Sequence, residues 1–478
     1  MKFILFQTIP STLNPIIQIL TLNHNKFKEI GSASFQFHPE LVKVDLADNQ
    51  LEEIQEKTFE AQKVLRTLNL SNNKLKNLDN LTFYGLESVE VLDLSGNMFE
   101  TVGGFVFEYL TKLKQLNLGD NNIRALDVNS FSGVESLQSL NLHGNMFARV
   151  ESEAFSLIQN LVKLNLSLNK ISELKTNSFN YFEQLTELDL SGDQIQFLSE
   201  DSFLGLNSLK TLRLSNTNMS AVPSAALARL IRLEHLELNK NNFKEVGDNA
   251  FAGLDHLQFL SISQCLRLRK VLTGSFSPNT KLSSINLSYN VMLDEVGNGT
   301  FDNLPSLSHL YLRDNHLTSV NLRNLNLTVI KTVDLSGNPW TCDCSTHHLQ
   351  HLALSSPHPA FCASPQALEG KPLTTANFSM CVTSPTYMVH TSEKNTVTVV
   401  SITVSVLVIL TMMGALVFQY HGIGAKLLQR LQDAVCRRKV SSQGVNYERS
   451  FQHQDTDCFV SFDKDGERGG RVVPVTEL

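Results

Sequence analysis

The stretch LVKVDLADNQL beginning at Leu41 returns as LRTLNLSNNKL at Leu65 and as LKQLNLGDNNI at Leu113. Its asparagine position recurs at Asn25, Asn49, Asn73, Asn97, Asn121, Asn145 and Asn169, then at Asp193, Thr217, Asn241, Cys265, Asn290, Asn315 and Asn338. That makes fourteen units, and the first ten steps are 24 residues each. A fixed period of this length marks stacked coils, each too small to bury its apolar face alone. A second ladder runs in phase: Phe35, Phe59, Phe83, Phe107, Phe131, Phe155, Phe179 and Phe203, then Leu227, Phe251, Phe276 and Phe301. Two registered ladders exclude an ordinary globular core over this stretch.

The chemistry of one unit predicts the stack. In LxL the leucines point inward and the intervening residue outward, which is a short strand, and stacked strands make one parallel sheet. The asparagine turns in beneath the strand, where its amide donates to a carbonyl and accepts from an N–H, satisfying buried backbone groups. Thr217 and Cys265 keep a donor; Asp193, if ionised, does not, and marks a weak rung. The phenylalanines fill the opposite side and space the coils more widely there, which predicts a horseshoe with the sheet on its concave face.

This pattern resembles the 24-residue extracellular type of the leucine-rich repeat family over roughly residues 14–340. The expected fold is therefore an α/β leucine-rich-repeat solenoid. Its period changes only by single residues, between Cys265 and Asn338, so no long insertion stands out as a ligand loop. Outward positions such as Lys43, Asp45, Arg66, Glu90, Lys114, Lys163, Glu187, Arg213 and Glu237 mix both signs. No continuous basic stripe appears, which argues against nucleic acid. Phe259, Tyr289 and Tyr311 fall on nearby strands and form a candidate protein-binding patch on the concave face.

After the last repeat come Cys342, Cys344, Cys362 and Cys381, a cluster that suggests an oxidising compartment; Cys265, Cys436 and Cys458 stand alone. A solenoid must end in a cap, and four cysteines allow three connectivities. The Cys-x-Cys opening after Asn338-Pro339-Trp340 resembles the C-terminal cap of extracellular leucine-rich repeats, which implies bridges Cys342–Cys362 and Cys344–Cys381. His347 and His351 raise a zinc reading, but the short spacer is wrong for it and a solvated helix face explains them. No metal or cofactor is expected. Among the Asn-x-Ser/Thr sequons, Asn69, Asn165 and Asn286 arise from the repeat itself, whereas Asn80, Asn218, Asn298, Asn326 and Asn377 are the glycosylation candidates.

From Val397 to Tyr420 no charged residue occurs, enough for about 36 Å of helix against a bilayer core of about 30 Å. Lys426, Arg430, Arg437, Arg438 and Lys439 follow it, which places that side in the cytoplasm and the repeats outside the cell or in a vesicle lumen. Near the end, Asp457, Phe459, Val460, Ser461 and Phe462 in DTDCFVSF resemble the first box of the Toll/interleukin-1 receptor domain, with Thr456 and Cys458 departing from its pattern. The order of repeats, cap, span, basic linker and box resembles a Toll-like receptor. Counting from Asp457 only 22 residues remain, too few for a domain, and neither a secretory signal nor an N-terminal cap is evident, so both ends read as cut.

The expected organisation is a repeat ectodomain over 1–340, the cap over 341–382, a stalk over 383–396, the span over 397–420, a linker over 421–455 and an incomplete signalling-domain start over 456–478. The resemblance implies an innate-immune receptor that binds a protein or microbial ligand and pairs as a homo- or heterodimer, with adaptors engaged only by a complete form. It implies a type I membrane protein of the cell surface or endosome. Two alternatives remain: an adhesion or organiser protein whose Thr476-Glu477-Leu478 end adds to PDZ domains, and a non-signalling decoy. No phosphate loop or nucleophile-base pair suggests an enzyme.

Overall fold

In the computed structural model, residues 13–378 are described, together with Ile9 and Cys381; they belong to a compact unit that ends at Thr383. The expected stalk, span, linker and signalling box at 383–478 lie outside the described residues.

Fourteen short strands form one parallel sheet in strict chain order, from Ile19–Thr21 to Thr332–Asp334. Each step advances one coil in register: Leu68 sits beside Leu92, Leu92 beside Leu116, and Leu116 beside Leu140. The middle residue of every strand is buried, and its neighbours are exposed or half-buried except at Ser261 and Asp334, as the LxL alternation requires.

Behind the sheet, the phenylalanine ladder is buried throughout. Phe35 stacks on Phe59, Phe131 on Phe155, and Phe251 on Phe276 and through it on Phe301, with centroids 5.4–5.9 Å apart. Leu227 takes the same place, buried. A second row of two-residue strands lies beyond the turns and is broken into the groups 29–54, 101–126 and 245–296.

The asparagine ladder does what the amide chemistry demands. Asn73 Nδ2 donates to the carbonyls of Leu46 and Leu70 at 3.1 and 3.0 Å, while its Oδ1 accepts from Leu51 N at 3.0 Å. Three replacements show what each atom contributes. Thr217 Oγ1 donates to Leu214 O at 3.0 Å, and Cys265 Sγ lies 3.7 Å from Leu238 O, so the donor half survives. Asp193 keeps the acceptor half, taking Ile171 N at 3.0 Å, but its Oδ2 is buried without a partner. Burial pushes that carboxyl up to about 8, so at neutral pH it carries a proton. Burial likewise pushes the Cys265 thiol up to about 11, leaving it a neutral core side chain.

At the C-terminal end, Cys342 is bonded to Cys362 and Cys344 to Cys381. The strand Trp340–Thr341 pairs with Cys362–Ser364, and the fully buried Trp340 donates from Nε1 to Leu335 O at 2.8 Å. Leu349 and Leu352 of the short helix Leu349–Leu352 close the last apolar layer. His347 does not lie on a solvated helix face: it precedes that helix and packs against Phe378, 5.1 Å between centroids. His351 is on the helix and exposed.

Candidate functional site on the sheet face

Fourteen near-identical coils reveal which outward residues the fold itself needs. At the third residue of each strand, Asp45, Asn69, Asp93, Asn117, Asn141, Asn165 and Asp189 each accept from the backbone N–H two residues later, at 2.9–3.1 Å. Such a side chain bonds its own turn and holds the chain as it leaves the strand. Asn286 and Asp334 do the same.

The rule is broken at Arg213, Glu237, Ser261 and Tyr311. The turns that the first three leave behind are repaired from the preceding coil: Ser191 Oγ accepts from Ser215 N, Ser215 Oγ from Asn239 N, and Asn239 Oδ1 from Ser263 N. Arg213 and Glu237 are thereby released from backbone duty. Where a repeat departs from its own local requirement and compensates elsewhere, function is the expected cause.

The charges along the rest of the sheet are largely neutralised sideways. Glu90 lies between Arg66 at 3.2 Å and Lys114 at 2.8 Å, while Lys163 reaches Glu187 and Lys210 reaches Glu234. The hydrogen bond from Lys114 holds the Glu90 carboxyl below its ordinary value. These pairs are exposed, so solvent screening leaves each of little net worth to stability.

A denser group forms around Glu237. His235 Nε2 donates to Glu237 Oε1 at 2.9 Å, and Arg213 Nε approaches the same oxygen at 3.3 Å. The hydrogen bond from His235, with Arg213's charge, holds the Glu237 carboxyl below its ordinary value against the desolvation of partial burial. The His235 ring then lies flat on Phe259, centroids 4.1 Å apart and planes 5° apart. Strand register continues the row from His235 through Phe259 and Ser284 to His309, whose ring faces Tyr311 at 6.4 Å.

Of the three aromatics of the candidate patch, two lie on sheet strands and one does not. Phe259 and Tyr311 are on the sheet face, separated by the strand Ser284–Asn286. Tyr289 is not on a strand: it sits in the turn beyond Asn286 with φ +62°, its ring under the Arg313 guanidinium at 5.8 Å. Turn geometry places it there, because that position is taken in other coils by Asp48, Asn72, Gly96, Asp120 and Gly144, all with positive φ. His235, the partner that completes the Phe259 stack, was missed from sequence. Its signal lay in register: it stands 24 residues before Phe259.

The candidate glycosylation sites Asn80, Asn218, Asn298, Asn326 and Asn377 are all exposed, whereas Asn69, Asn165 and Asn286 are half-buried turn acceptors on the sheet rim.

Fold and site together define a repeat solenoid that presents an open sheet to a partner. Models of the leucine rich repeat match residues 39–99, 208–266 and 264–317, and a BspA type leucine rich repeat region matches 100–228. The chain belongs to the leucine-rich repeat family. It is 37% identical over 93 residues to leucine-rich repeat-containing protein 52 of Mus musculus, and 31% identical over 103 residues to a phospholipase A2 inhibitor of Gloydius brevicaudus siniticus. Those segments cover 17% and 20% of this chain, and the chain spans only 30% of each relative. Among solved structures, the functional domain of InlJ from Listeria monocytogenes, which includes a cysteine ladder, superposes with a TM-score of 0.50 at 19% identity, covering 69% of this chain and 65% of that one. That likeness concerns the fold alone.

Proposed function

We propose that this leucine-rich repeat protein is the ligand-binding part of a single-pass receptor of the Toll-like type. Its repeats face the cell exterior or an endosomal lumen, and its ligand is a protein or a microbial product. The observation that carries the binding role is the strip Arg213–His235–Glu237–Phe259, where turn-holding residues give way to outward groups and neighbouring coils compensate. The receptor reading draws its support from order along the chain: a cystine-closed solenoid end, then the uncharged stretch 397–420, basic residues, and the box at Asp457. Ligand-driven pairing of two such chains brings their spans together.

The test is a chimera in which residues 1–420 are fused to the inner half of a reporter receptor and expressed with a tag on residue 1. The reading predicts a tag accessible on intact cells or in endosomes, and reporter activation by one class of microbial preparation that His235→Ala or Phe259→Ala abolishes. A tag reached only after permeabilising all membranes would overturn the topology. Activation untouched by both substitutions would overturn the assigned strip.

A further inference from the structure

A second surface lies away from the strip, where the period changes. The steps from Cys265 to Asn290 and from Asn290 to Asn315 are 25 residues rather than 24. In a regular coil the N–H two residues past the ladder position is bound by the next asparagine, as Leu51 N is by Asn73. In the two longer coils the next asparagine instead takes the ladder residue's own N–H: Cys265 N donates to Asn290 Oδ1 at 2.7 Å, and Asn290 N to Asn315 Oδ1 at 2.8 Å. The extra residue then closes a tight turn, Leu268 N to Cys265 O at 2.9 Å and Leu293 N to Asn290 O at 2.8 Å. In solenoids, such per-repeat insertions gather on one face.

These turns hold apolar side chains in water. Leu266 is 62% exposed, Val291 55%, Tyr289 41% and Met292 38%, on consecutive coils. Tyr289 holds the left-handed conformation common to this position of the coil, where Leu168, Lys240 and Gln264 also stand, and that turn carries its ring outward. Around the ridge, Lys270 is matched by Glu295 and Arg313 by Asp314. Arg267, Arg269 and Lys244 are exposed and have no ion-pair partner among the described residues, against Asp294 and Glu245. The ridge is net positive on a chain of formal charge -7.

We infer that the paired inserted turns at 265–268 and 289–293 form a docking ridge for a partner protein that presents an apolar segment flanked by carboxylates. Charge sets the choice of occupant. A second copy would oppose like-signed ridges. An acidic, apolar segment meets both the apolar crest and the unpaired guanidinium groups, and electrostatic complementarity steers its approach. The ridge does not depend on the sheet-face strip, so the two surfaces fail independently.

The test uses the full chain purified in detergent and three fluorescent twelve-residue peptides: alternating leucine and aspartate, the same with lysine for aspartate, and the same with serine for leucine. Anisotropy is expected to show binding of the first at least about tenfold tighter than the other two, as loss of an anchoring apolar contact or a charge match implies. The pair Leu266→Ser and Val291→Ser should weaken it by about tenfold or more, and Arg267→Gln with Arg269→Gln should flatten its salt dependence. Phe197→Ser, at another exposed apolar position, should leave it unchanged. Equal binding of the lysine peptide, or binding indifferent to the ridge variants, overturns the proposal. So does concentration-dependent self-association lost in Leu266→Ser, which would make the ridge a contact between copies, or binding confined to anionic vesicles.

Discussion

Replacing Asp193 by asparagine tests the central physical claim about the solenoid, that each coil is locked by one buried amide. In the neighbouring rung Asn169 Nδ2 donates to Leu142 O and Leu166 O at 3.0 and 2.7 Å. Asp193 occupies the same place with Oδ1 bonded to Ile171 N and Oδ2 unpartnered, so only a protonated carboxyl reproduces the donor. Desolvation, aided by the charge of Asp189, raises the carboxyl from 3.8 to about 8 in the folded state. Below pH 4 both folded and unfolded chains hold the proton and the rung is at full strength. As pH rises from 4 towards 8 the unfolded chain ionises while the folded one keeps its proton, and stability falls by about 1.4 kcal/mol per pH unit. The loss reaches on the order of 4 kcal/mol by pH 7 and stops growing above the folded value. Asp193→Asn removes the titration. It should match the wild type within about 1 kcal/mol at pH 4 and exceed it increasingly up to pH 8. Melting midpoints from pH 4 to 8.5 report the trend, and hydrogen exchange at Ile171 N–H reports it at the rung, where a solenoid can open locally. A difference that stays constant across the range, or a variant less stable at pH 7.5, would refute the assignment of a neutral carboxyl.

Other consequences are equally direct. Phe131→Ala removes a buried ring stacked on Phe155 and should cost about 3–5 kcal/mol, with amide exchange rising in the coils on either side before distant ones. Reducing the two cystines should lower stability by about 2–5 kcal/mol and expose Trp340, the chain's one tryptophan, so a red shift in its emission should accompany the loss. Glu237→Gln should erase an acid-side loss of stability: the wild-type carboxyl, held low by His235 and Arg213, contributes above the usual glutamate range and loses that contribution as pH falls through its depressed value. Titrated unfolding between pH 2.5 and 5.5 should show a shallower slope in the variant. Tyr289→Gly should raise stability by up to about 1 kcal/mol in thermal melts by relieving the left-handed turn, while weakening binding at the ridge.

The solenoid was legible because its two ladders repeat at one spacing and each has a single physical job. Parallel strands, buried phenylalanines and the amide lock follow from LxL, Phe and Asn at fixed offsets, and the structure places all three there. The site was less legible. Tyr289 read as a strand residue because outward position along an alternating run and a positive-φ turn look alike without register. Ionisation of Asp193 could not be judged until its burial was known. His235 lacked any local signal, since its meaning comes from Phe259 one coil later. The second row of short strands was not foreseen either, because an exposed polar residue before a buried Ile or Val, as in Glu29–Ile30, Glu53–Ile54 and Lys270–Val271, is too short a run to mark a strand.

Repetition also supplies a control that single-copy folds lack. A buried polar residue in most proteins is ambiguous between architecture and function, because nothing shows what the fold would use there by default. Here the default is visible many times over: an Asp or Asn that holds its own turn. Arg213 and Glu237 break that rule. The break is repaired by Ser191, Ser215 and Asn239, so backbone bonding is kept and little stability is sacrificed. The left-handed turn before each ladder position offers no such control, since Leu168, Lys240 and Gln264 hold it as Tyr289 does. A bulky residue at that turn therefore carries no demand of its own for a partner. By that reasoning the sheet-face strip, where backbone bonds are moved to a neighbouring coil and two charged side chains are freed, carries the stronger physical demand for one.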